Sequence, residues 1–290
     1  MIESIRGSSL EQVSTQALLP MVAAMAVVAV PTPRPTVDRF DARRAWALLV
    51  HQVELGPRPA GSPASRKLAA VLKAALPRGS FQPVPGGLRN VVGFVRGRDP
   101  HRYVVVAAHY DTRDIPGYLG ANNGAAGTAV VVQLARTIKP RTIRPSVVFL
   151  ALDGEEPPAG TPDSKFLTYG LRGAKVAAPI YRKAEALILL DFVGNKGLTL
   201  PRERNSDPVL WEKLRRAAAR VGVGSVFPSN RLQGPILDDH FEFTQVGVPS
   251  IDLIDFDFPC WFKLCDNLSA VSLRSLDVTG ETMTELLRSF

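Results

Sequence analysis

The chain has 290 residues, of which 46% are hydrophobic and 21% are charged, a composition ordinary for a globular protein of one large domain or two small ones. Its formal net charge of +8 would suit a nucleic acid or a membrane surface as a partner. However, the basic residues are scattered along the sequence and accompany no nucleic-acid-binding motif. We therefore interpret the charge as a solvated, Arg-rich surface and expect no nucleic-acid partner.

The N-terminal 36 residues differ from the rest of the chain. Residues 17–30, ALLPMVAAMAVVAV, are apolar but too few for a typical membrane span. They match the hydrophobic region of a signal peptide, and residues 24–26 (Ala-Met-Ala) offer a small-residue cleavage pattern. We expect an exported or membrane-tethered protein, with membrane contact only through this segment if it is not cleaved. The alternative is an N-terminal helix, interrupted by Pro20, that packs on the domain.

A Pro-rich stretch at residues 31–36 (PTPRPT) is typical of an extended linker. It separates the signal-like or anchor segment from the remainder of the chain. We therefore divide the sequence into an N-terminal segment with its linker at 1–36 and one domain at 37–290.

Within the domain, runs of strand length alternate with segments of helical periodicity. The apolar runs are nearly continuous, which indicates strands buried on both faces in a largely parallel sheet. Asp207 and Pro208 are suited to the start of one helix, and Gly222 to its end. The sequence predicts an α/β fold, a three-layer α/β/α sandwich with a largely parallel, mixed central sheet. The predicted strands are 90–97, 103–108, 146–152, 186–190 and 250–254, and the predicted helices are 127–138, 210–221 and 276–287.

Acidic and imidazole side chains follow three of these strands. His109 comes after the second strand, Glu155 and Glu156 after the third, and Asp191 after the fourth. Because ligands bind outside the carboxyl ends of the strands in open α/β sheets, we expect these groups at one rim. Crowded carboxylates repel one another unless a cation or a proton compensates them, and a His/Asp/Glu set suits zinc. A single Asp after a strand is usually a helix cap or a turn residue, but together these groups favour a metal site.

Six motifs follow one another in the order and spacing of a known family. They are AAHYDT (107–112), GANNGAAG (120–127), LALDGEE (150–156), LTYGLRGAK (167–175), LILLDFVG (187–194) and LDDHFEF…GVPSIDLIDFDFP (237–259). From about Leu55 to the C-terminus the chain resembles the co-catalytic zinc exopeptidases, or zinc aminopeptidases, and within them the glutaminyl cyclase branch. The resemblance implies a zinc cofactor and a peptide or protein N-terminus as the substrate.

The resemblance also implies a role for individual residues. The positions that match metal ligands are His109, Glu156 and Asp191. The positions that match the catalytic acid/base, the hydrogen-bonding acid and the wall of the substrate pocket are Glu155, Asp239 and Trp261.

Two family ligand positions are substituted in this chain. Asn123 stands where the family has an aspartate, and Phe262 stands where it has a histidine. Phenylalanine has no donor atom, and an amide oxygen is a weaker zinc ligand than a carboxylate. Because an amide relieves little of the repulsion between two dications, we expect one zinc ion or none, not two.

With these two ligands substituted, we predict a zinc-dependent aminopeptidase or glutaminyl cyclase-type enzyme that is weak or inactive. The alternative is a non-catalytic protein that binds a peptide or a partner in the same pocket. We also expect at least one of Glu156 and Asp191 to have a raised pKa, because the metal charge that would compensate them is reduced.

Three further residues lie near Phe262. Cys260 and Cys265 could form a disulfide if the protein is exported, could remain structural thiols, or Cys265 could replace the lost zinc ligand. The Lys263 ammonium could pair with Glu156 or Asp191 in place of a metal, and its alternative is a solvent-facing side chain.

Overall fold

Aliphatic and β-branched side chains build a central six-stranded sheet whose inner strands are almost completely buried. The structure is a computed structural model that describes residues 31–290. The apolar segment at 17–30 lies outside the described residues, so its signal or anchor role stays a prediction. Across residues 31–290, no helix is both long enough and apolar enough to cross a membrane.

The secondary structure consists of short strands and helices of moderate length. The strands are β1 (Ser80–Val84), β2 (Leu88–Val95), β3 (Asp99–His109), β4 (Pro145–Leu152), β5 (Leu187–Leu190), β6 (Arg202–Glu203), β7 (Leu232–Gln233) and β8 (Ser250–Leu253). The helices are α1 (Ala42–Glu54), α2 (Pro63–Ala75), α3 (Gly127–Thr137), α4 (Phe166–Tyr169), α5 (Arg172–Ile180), α6 (Pro208–Arg220), α7 (Asp239–Gln245) and α8 (Leu273–Arg288).

The sheet has the order β1-β2-β4-β3-β5-β8. Strands β4, β3, β5 and β8 are parallel, whereas β2 is antiparallel to β4 and β1 is antiparallel to β2. This arrangement confirms the mixed, largely parallel sheet and contains all five predicted strands. Strand β1 was not predicted from the sequence, because it is a mostly exposed edge strand that contains Pro83, and proline is a poor strand former away from an edge.

Helices cover both faces of the sheet because side chains along each strand alternate in direction. Val104 and Val106 of β3 belong to the core beneath α1, α3, α6 and α8, whereas Val105 and Ala107 belong to the core beneath α5 and α7. This confirms the three-layer sandwich. Each fully buried valine contributes about 1.5–3 kcal/mol relative to an exposed one, so the continuous apolar runs stabilise the centre of the sheet.

The ends of α6 follow the signals in its sequence. The Asp207 carboxylate accepts a hydrogen bond from the backbone N–H of Leu210, and Pro208 is the first helical residue. Gly222 follows the helix with a φ of +79°, a left-handed conformation that glycine adopts without strain.

Parallel strands end at the same edge of a sheet, and here that edge carries the polar groups singled out in the sequence. The last residue of β3, His109, pairs in register with Leu152, the last residue of β4. The start of α3 lies against the end of β5, where a Cβ atom at Gly127 would be 2.0 Å from the carbonyl oxygen of Leu190. Glycine at this position therefore allows α3 to begin beside the rim.

Candidate functional site

Two strand ends deliver carboxylates to one cavity of about 310 Å³, and a third strand end places a histidine behind them. Glu155 and Glu156 follow β4 and Asp191 follows β5, and all three line the cavity. His109, at the end of β3, is buried behind them, with its Nε2 atom 3.5 Å from Asp191 Oδ1. The structure thus brings together the four groups that the strand pattern placed at one rim.

Asp111 fixes the turn that carries the two glutamates. Its carboxylate accepts hydrogen bonds from the backbone N–H groups of Gly154 (3.0 Å), Glu155 (3.3 Å) and Glu156 (3.2 Å). Three donors on one buried carboxylate hold the turn rigidly. Asp111 therefore orients both glutamate side chains without lining the cavity itself.

The Glu156 carboxylate is occupied by two donors. Its Oε1 atom accepts a hydrogen bond from the Asn123 amide nitrogen at 3.0 Å, and its Oε2 atom lies 3.1 Å from Nη1 of Arg113. The other guanidinium nitrogen of Arg113 lies 3.1 Å from the exposed carboxylate of Asp163. Burial raises the pKa of Glu156 to about 7, although Arg113 and the Asn123 amide act in the opposite direction. We expected a raised pKa for at least one of Glu156 and Asp191, and the pKa of Glu156 is raised.

Phe262 contacts this ion pair from the loop above it. The Arg113 guanidinium lies 4.8 Å from the centre of the Phe262 ring, within the range of a cation–π interaction. The same ring meets Tyr118 edge to face at 6.3 Å. Phe262 has a φ of +52°, which is uncommon for a bulky residue. An aromatic ring thus covers the cation at the position where the resemblance implies a histidine.

The loop that carries Asn123 is held from below by Asp266. The Asp266 carboxylate accepts hydrogen bonds from the backbone N–H groups of Asn122 and Asn123 and from the Tyr118 hydroxyl, at 2.7, 3.1 and 2.9 Å. Gly124, the next residue, has a φ of +88°. A Cβ atom there would lie 2.7 Å from the carbonyl oxygen of Asp111, so the loop requires glycine at this position.

His109 is surrounded by carboxylates. Its Nδ1 atom lies 3.6 Å from Asp111 and 4.0 Å from Glu155, and Asp191 faces Nε2. Burial acts to lower the pKa of His109, but contacts with Asp111 and Asp191 and the charge of Glu155 raise it well above its usual value. The imidazolium therefore partly compensates the acidic wall of the cavity.

Glu155, the predicted acid/base, is a buried group with a strongly perturbed pKa. Burial raises the pKa of Glu155 well above its usual value, and the neighbouring charge of Glu156 raises it further. A carboxyl group with a raised pKa lies closer to the range in which general acid–base catalysis operates.

Of the two adjacent aspartates in the LDDH motif, Asp238 lines the cavity, whereas Asp239 is fully buried and does not. Asp238 is the N-cap residue of α7, and burial together with the charge of Asp191 raises its pKa to about 6. The resemblance implies Asp239 as the hydrogen-bonding acid. In the structure Asp238 is the aspartate of this pair that faces the cavity.

Trp261 lies at the mouth of the cavity, as expected for a pocket wall. Its indole is 40% exposed and packs against Phe256 at 4.7 Å between ring centres. A disulfide between Cys260 and Cys265 closes the loop on which it lies. Of the three possibilities for the cysteines, the structure contains the disulfide, so Cys265 has no thiolate for a metal. The other apolar lining residues are Phe166, Phe192, Pro235, Ile236, Leu237, Ile254 and Phe262.

Of the two possibilities for Lys263, the structure shows the solvent-facing side chain, so its pairing with Glu156 or Asp191 is wrong. Its ammonium is exposed and donates a hydrogen bond to the carbonyl oxygen of Pro259 at 2.9 Å, within its own loop. Arg113, and not Lys263, forms the ion pair with Glu156. Phe262 adopts a left-handed conformation, and the side chain of the next residue, Lys263, turns back onto its own loop. The Glu156 oxygen that Lys263 would have bound is already paired with the Arg113 guanidinium.

The side chains around Glu156 do not fit the zinc ion that the resemblance implies there. Glu156 presents one oxygen to an amide N–H and the other to a guanidinium, and Phe262 supplies no donor. A catalytic zinc normally has three protein ligands. Within residues 31–290, no group of three or more His, Cys, Asp or Glu side chains is arranged to hold a metal ion. The charge that faces Glu156 is supplied instead by Arg113.

Arg113 and Asp238 line the cavity but were not predicted from the sequence. Arg113 follows the AAHYDT motif directly, and its position two residues after Asp111 is the one signal that could have suggested it. A basic side chain beside two substituted ligand positions is a candidate for replacing the metal charge.

Comparisons with known proteins agree with this architecture. The sequence profile described as Peptidase family M28 matches residues 90–287. A probable zinc metalloprotease of Leptosphaeria maculans is 31% identical over 185 residues, which cover 58% of this chain and 40% of that protein. The chain thus spans less than half the length of that relative.

Two glutaminyl cyclases match over most of their length. The glutaminyl-peptide cyclotransferase of Bothrops jararaca is 26% identical over 294 aligned positions, which cover 83% of this chain and 79% of that protein. The crystal structure of Tannerella forsythia glutaminyl cyclase superposes with a TM-score of 0.75 at 26% identity and covers 87% of this chain and 99% of that one. The profile match spans more than half of the chain and includes the rim of the cavity, and on these grounds the chain belongs to peptidase family M28.

Proposed function

We propose that the protein binds the N-terminal residues of peptides or proteins in the cavity, and that its zinc-dependent aminopeptidase or glutaminyl cyclase turnover is weak or absent. The proposal rests on the two contacts of the Glu156 carboxylate. This carboxylate is bound by Arg113 and Asn123 at the position where the resemblance implies a zinc ligand.

Charge supports a peptide N-terminus as the ligand. Glu155, Asp191 and Asp238 line the cavity, and the one basic side chain among the lining residues, Arg113, is engaged by Glu156 and Asp163. An α-ammonium group would compensate the carboxylates that remain, and the aromatic wall at Trp261 would pack against the first side chain. The similarity to a glutaminyl-peptide cyclotransferase supports the same class of ligand.

A weakly active zinc enzyme is the second candidate. It is favoured by the retained pair His109 and Asp191, whose side chains lie 3.5 Å apart beside the cavity, and by Glu155, which keeps the position of the acid/base. Two strong ligands hold zinc less tightly than three, so this candidate requires a metal-dependent rate that is low but measurable.

Peptide binding tests the first candidate. We would titrate the protein with short peptides that begin with a large apolar residue or with glutamine and carry a free α-amine, and with the same peptides after N-acetylation. We expect binding of the free amines and at least a tenfold loss on acetylation, because the cavity carboxylates then lose their cationic partner (about 1.4 kcal/mol per tenfold). Equal affinity for both forms, or no binding of either, would contradict the proposal.

Variants locate the binding and separate the two candidates. Glu155→Gln and Trp261→Leu should each weaken binding of the free amine, whereas Asp114→Asn, an exposed carboxylate outside the cavity lining, should not. Turnover of aminoacyl and glutaminyl substrates with added zinc then identifies the second candidate. A zinc-dependent rate that Glu155→Gln abolishes would assign the protein as an enzyme.

A further inference from the structure

A second cavity lies at the opposite end of the parallel strands from the candidate functional site. Val95, at the end of β2, pairs with Val147 near the start of β4, and α3 ends at the same end. The cavity between them measures about 460 Å³. Its lining contains five basic side chains and no acidic one: Arg44, Arg78, Arg96, Arg136 and Lys139.

The charge of this basic cavity is almost uncompensated. Within the part of the chain that the structure describes, Arg44 forms an ion pair with Asp41 at 3.2 Å, and the other four basic side chains form none. All five are exposed. Basic residues that are scattered in the sequence thus converge in the fold, and such a group of like charges attracts anions.

Two of these side chains are held in place. The Nε atom of Arg136 donates a hydrogen bond to the carbonyl oxygen of Ala75 at 3.1 Å, and Arg78 lies over the Phe94 ring at 5.6 Å. Apolar groups, namely Pro77, Phe94, Val95, Ala135, Ile138 and Pro140, form the rest of the lining. An apolar floor beneath convergent cations strengthens their interaction with a bound anion.

The basic surface extends beyond the cavity. The backbone N–H of Arg141 bonds to the carbonyl oxygen of Arg96 at 2.8 Å, which places a further exposed basic residue beside the cavity. A neighbouring cavity shares Lys139 and adds Arg288. Asp99, at the start of β3, accepts a hydrogen bond from the backbone N–H of His101 with its carboxylate.

We propose that the basic cavity binds phosphate groups, and that their source is the headgroups of an anionic lipid surface. Guanidinium groups bind phosphate through paired N–H donors, and several of them on one exposed face match a surface of many phosphates better than one small anion. The position in the chain supports a lipid source. Arg44 lies in the first helix after the linker, and the apolar run at 17–30 directly precedes that linker. This inference does not rest on the proposed function, because the two cavities lie at opposite ends of the parallel strands.

Vesicle binding by the full chain tests the inference. The comparison is between phosphatidylcholine vesicles and vesicles that also contain phosphatidylglycerol, at about 0.1 M and about 1 M NaCl, because the screening length falls from about 10 to about 3 Å between these salt concentrations. We expect binding to the anionic vesicles that is lost at high salt. Equal binding to both kinds of vesicle would contradict the proposal, because the apolar N-terminal segment would then account for it.

Two charge-matched variants locate the binding. One carries Arg78→Gln, Arg96→Gln, Arg136→Gln and Lys139→Gln, and the other carries Arg182→Gln, Lys183→Gln, Lys196→Gln and Arg204→Gln, four exposed basic residues away from the cavity. Each basic residue near an anionic membrane contributes about fivefold to binding, so the cavity variant should lose at least about tenfold. The matched variant should bind like the wild type. An equal loss in both variants would show that net charge alone is responsible and would overturn the proposal.

Competition identifies the source of the phosphate. Inorganic pyrophosphate and a short DNA duplex should compete only weakly with anionic vesicles. If either binds the protein more tightly than the vesicles do, and the cavity variant loses that binding, the lipid assignment is overturned. Should the fourfold variant fail to fold, Arg96→Gln alone replaces it. The exposed Arg96 side chain makes no hydrogen bond or ion pair within residues 31–290, so its loss should not disturb the fold. An unchanged affinity of Arg96→Gln for anionic vesicles would contradict the proposal.

Discussion

Nη1 of Arg113 lies 3.1 Å from Oε2 of Glu156, and the opposite oxygen of the same carboxylate accepts the amide N–H of Asn123. A guanidinium and an amide thus satisfy a buried carboxylate at a position that the resemblance matches to a metal ligand. A buried carboxylate without a cation is costly, so the substitution of the metal ligands and the presence of Arg113 are physically linked.

Removing the guanidinium should destabilise the fold. Arg113→Met leaves Glu156 buried without its cation, and we expect a loss of about 2–3 kcal/mol in the free energy of unfolding. Arg113→Lys should lose less, because it keeps the charge but not the paired donors. The matched control is Arg231→Met, which breaks an exposed pair with Asp257 and should cost less than about 1 kcal/mol. Urea unfolding of the variants measures the difference, and equal losses in both Met variants would contradict our account.

Restoring the family ligands should create a zinc site. Asn123→Asp and Phe262→His supply two donors, and Arg113→Ala frees the Glu156 carboxylate, so the triple variant should bind zinc at least about a hundredfold more tightly than the wild type. Arg113→Ala alone is the control, since it frees Glu156 without adding a ligand. Calorimetric titration with zinc measures both. A triple variant that binds zinc no more tightly than the control would show that these three positions do not converge as we describe.

The loop that carries Asn123 should tolerate no side chain at Gly124. Gly124→Ala adds a Cβ atom that would lie 2.7 Å from the Asp111 carbonyl oxygen, in a conformation with positive φ. Gly197→Ala is a matched control, because Gly197 also has a positive φ but has no atom within 4 Å of the added Cβ. We expect about 1–2 kcal/mol of destabilisation from the backbone conformation in both, and a larger loss at Gly124. Thermal unfolding that gives equal losses would contradict a tight contact at this turn.

His240 should stabilise a buried acidic cluster in a pH-dependent way. Its Nε2 atom lies 3.4 Å from Glu203, and although burial acts to raise the pKa of Glu203, contact with His240 lowers it. A carboxyl whose pKa is lowered on folding contributes stability above its unfolded pKa, and that stability is lost as the pH falls. His240→Gln should therefore destabilise the fold more at neutral pH than near pH 4. A loss that is the same at both pH values in denaturant unfolding would exclude this role.

The fold was predictable because its signals are local. The strands at 103–108 and 146–152 are continuous apolar runs, and α6 starts and stops at Asp207 and Gly222 as its sequence indicates. The rim was predictable for a related reason, since residues that directly follow parallel strands must lie at one edge of the sheet.

The missed contacts depend on distances that no local pattern contains. Arg113 and Glu156 are 43 residues apart in sequence, and their contact follows from how two loops meet above the sheet. The sequence left two possibilities for Lys263, because adjacency to Phe262 does not determine the direction of a side chain in a tight loop. Likewise, Asp238 and Asp239 are neighbours in sequence, but the start of α7 turns only Asp238 towards the cavity.

Calorimetric titration of the wild-type chain with zinc tests the central claim most directly. If Arg113 and Asn123 occupy the Glu156 carboxylate, zinc should show no stoichiometric binding up to about 100 μM, and the melting temperature should not rise with added zinc. Binding of one zinc ion per chain with submicromolar affinity, accompanied by a rise of several degrees in the melting temperature, would contradict the account.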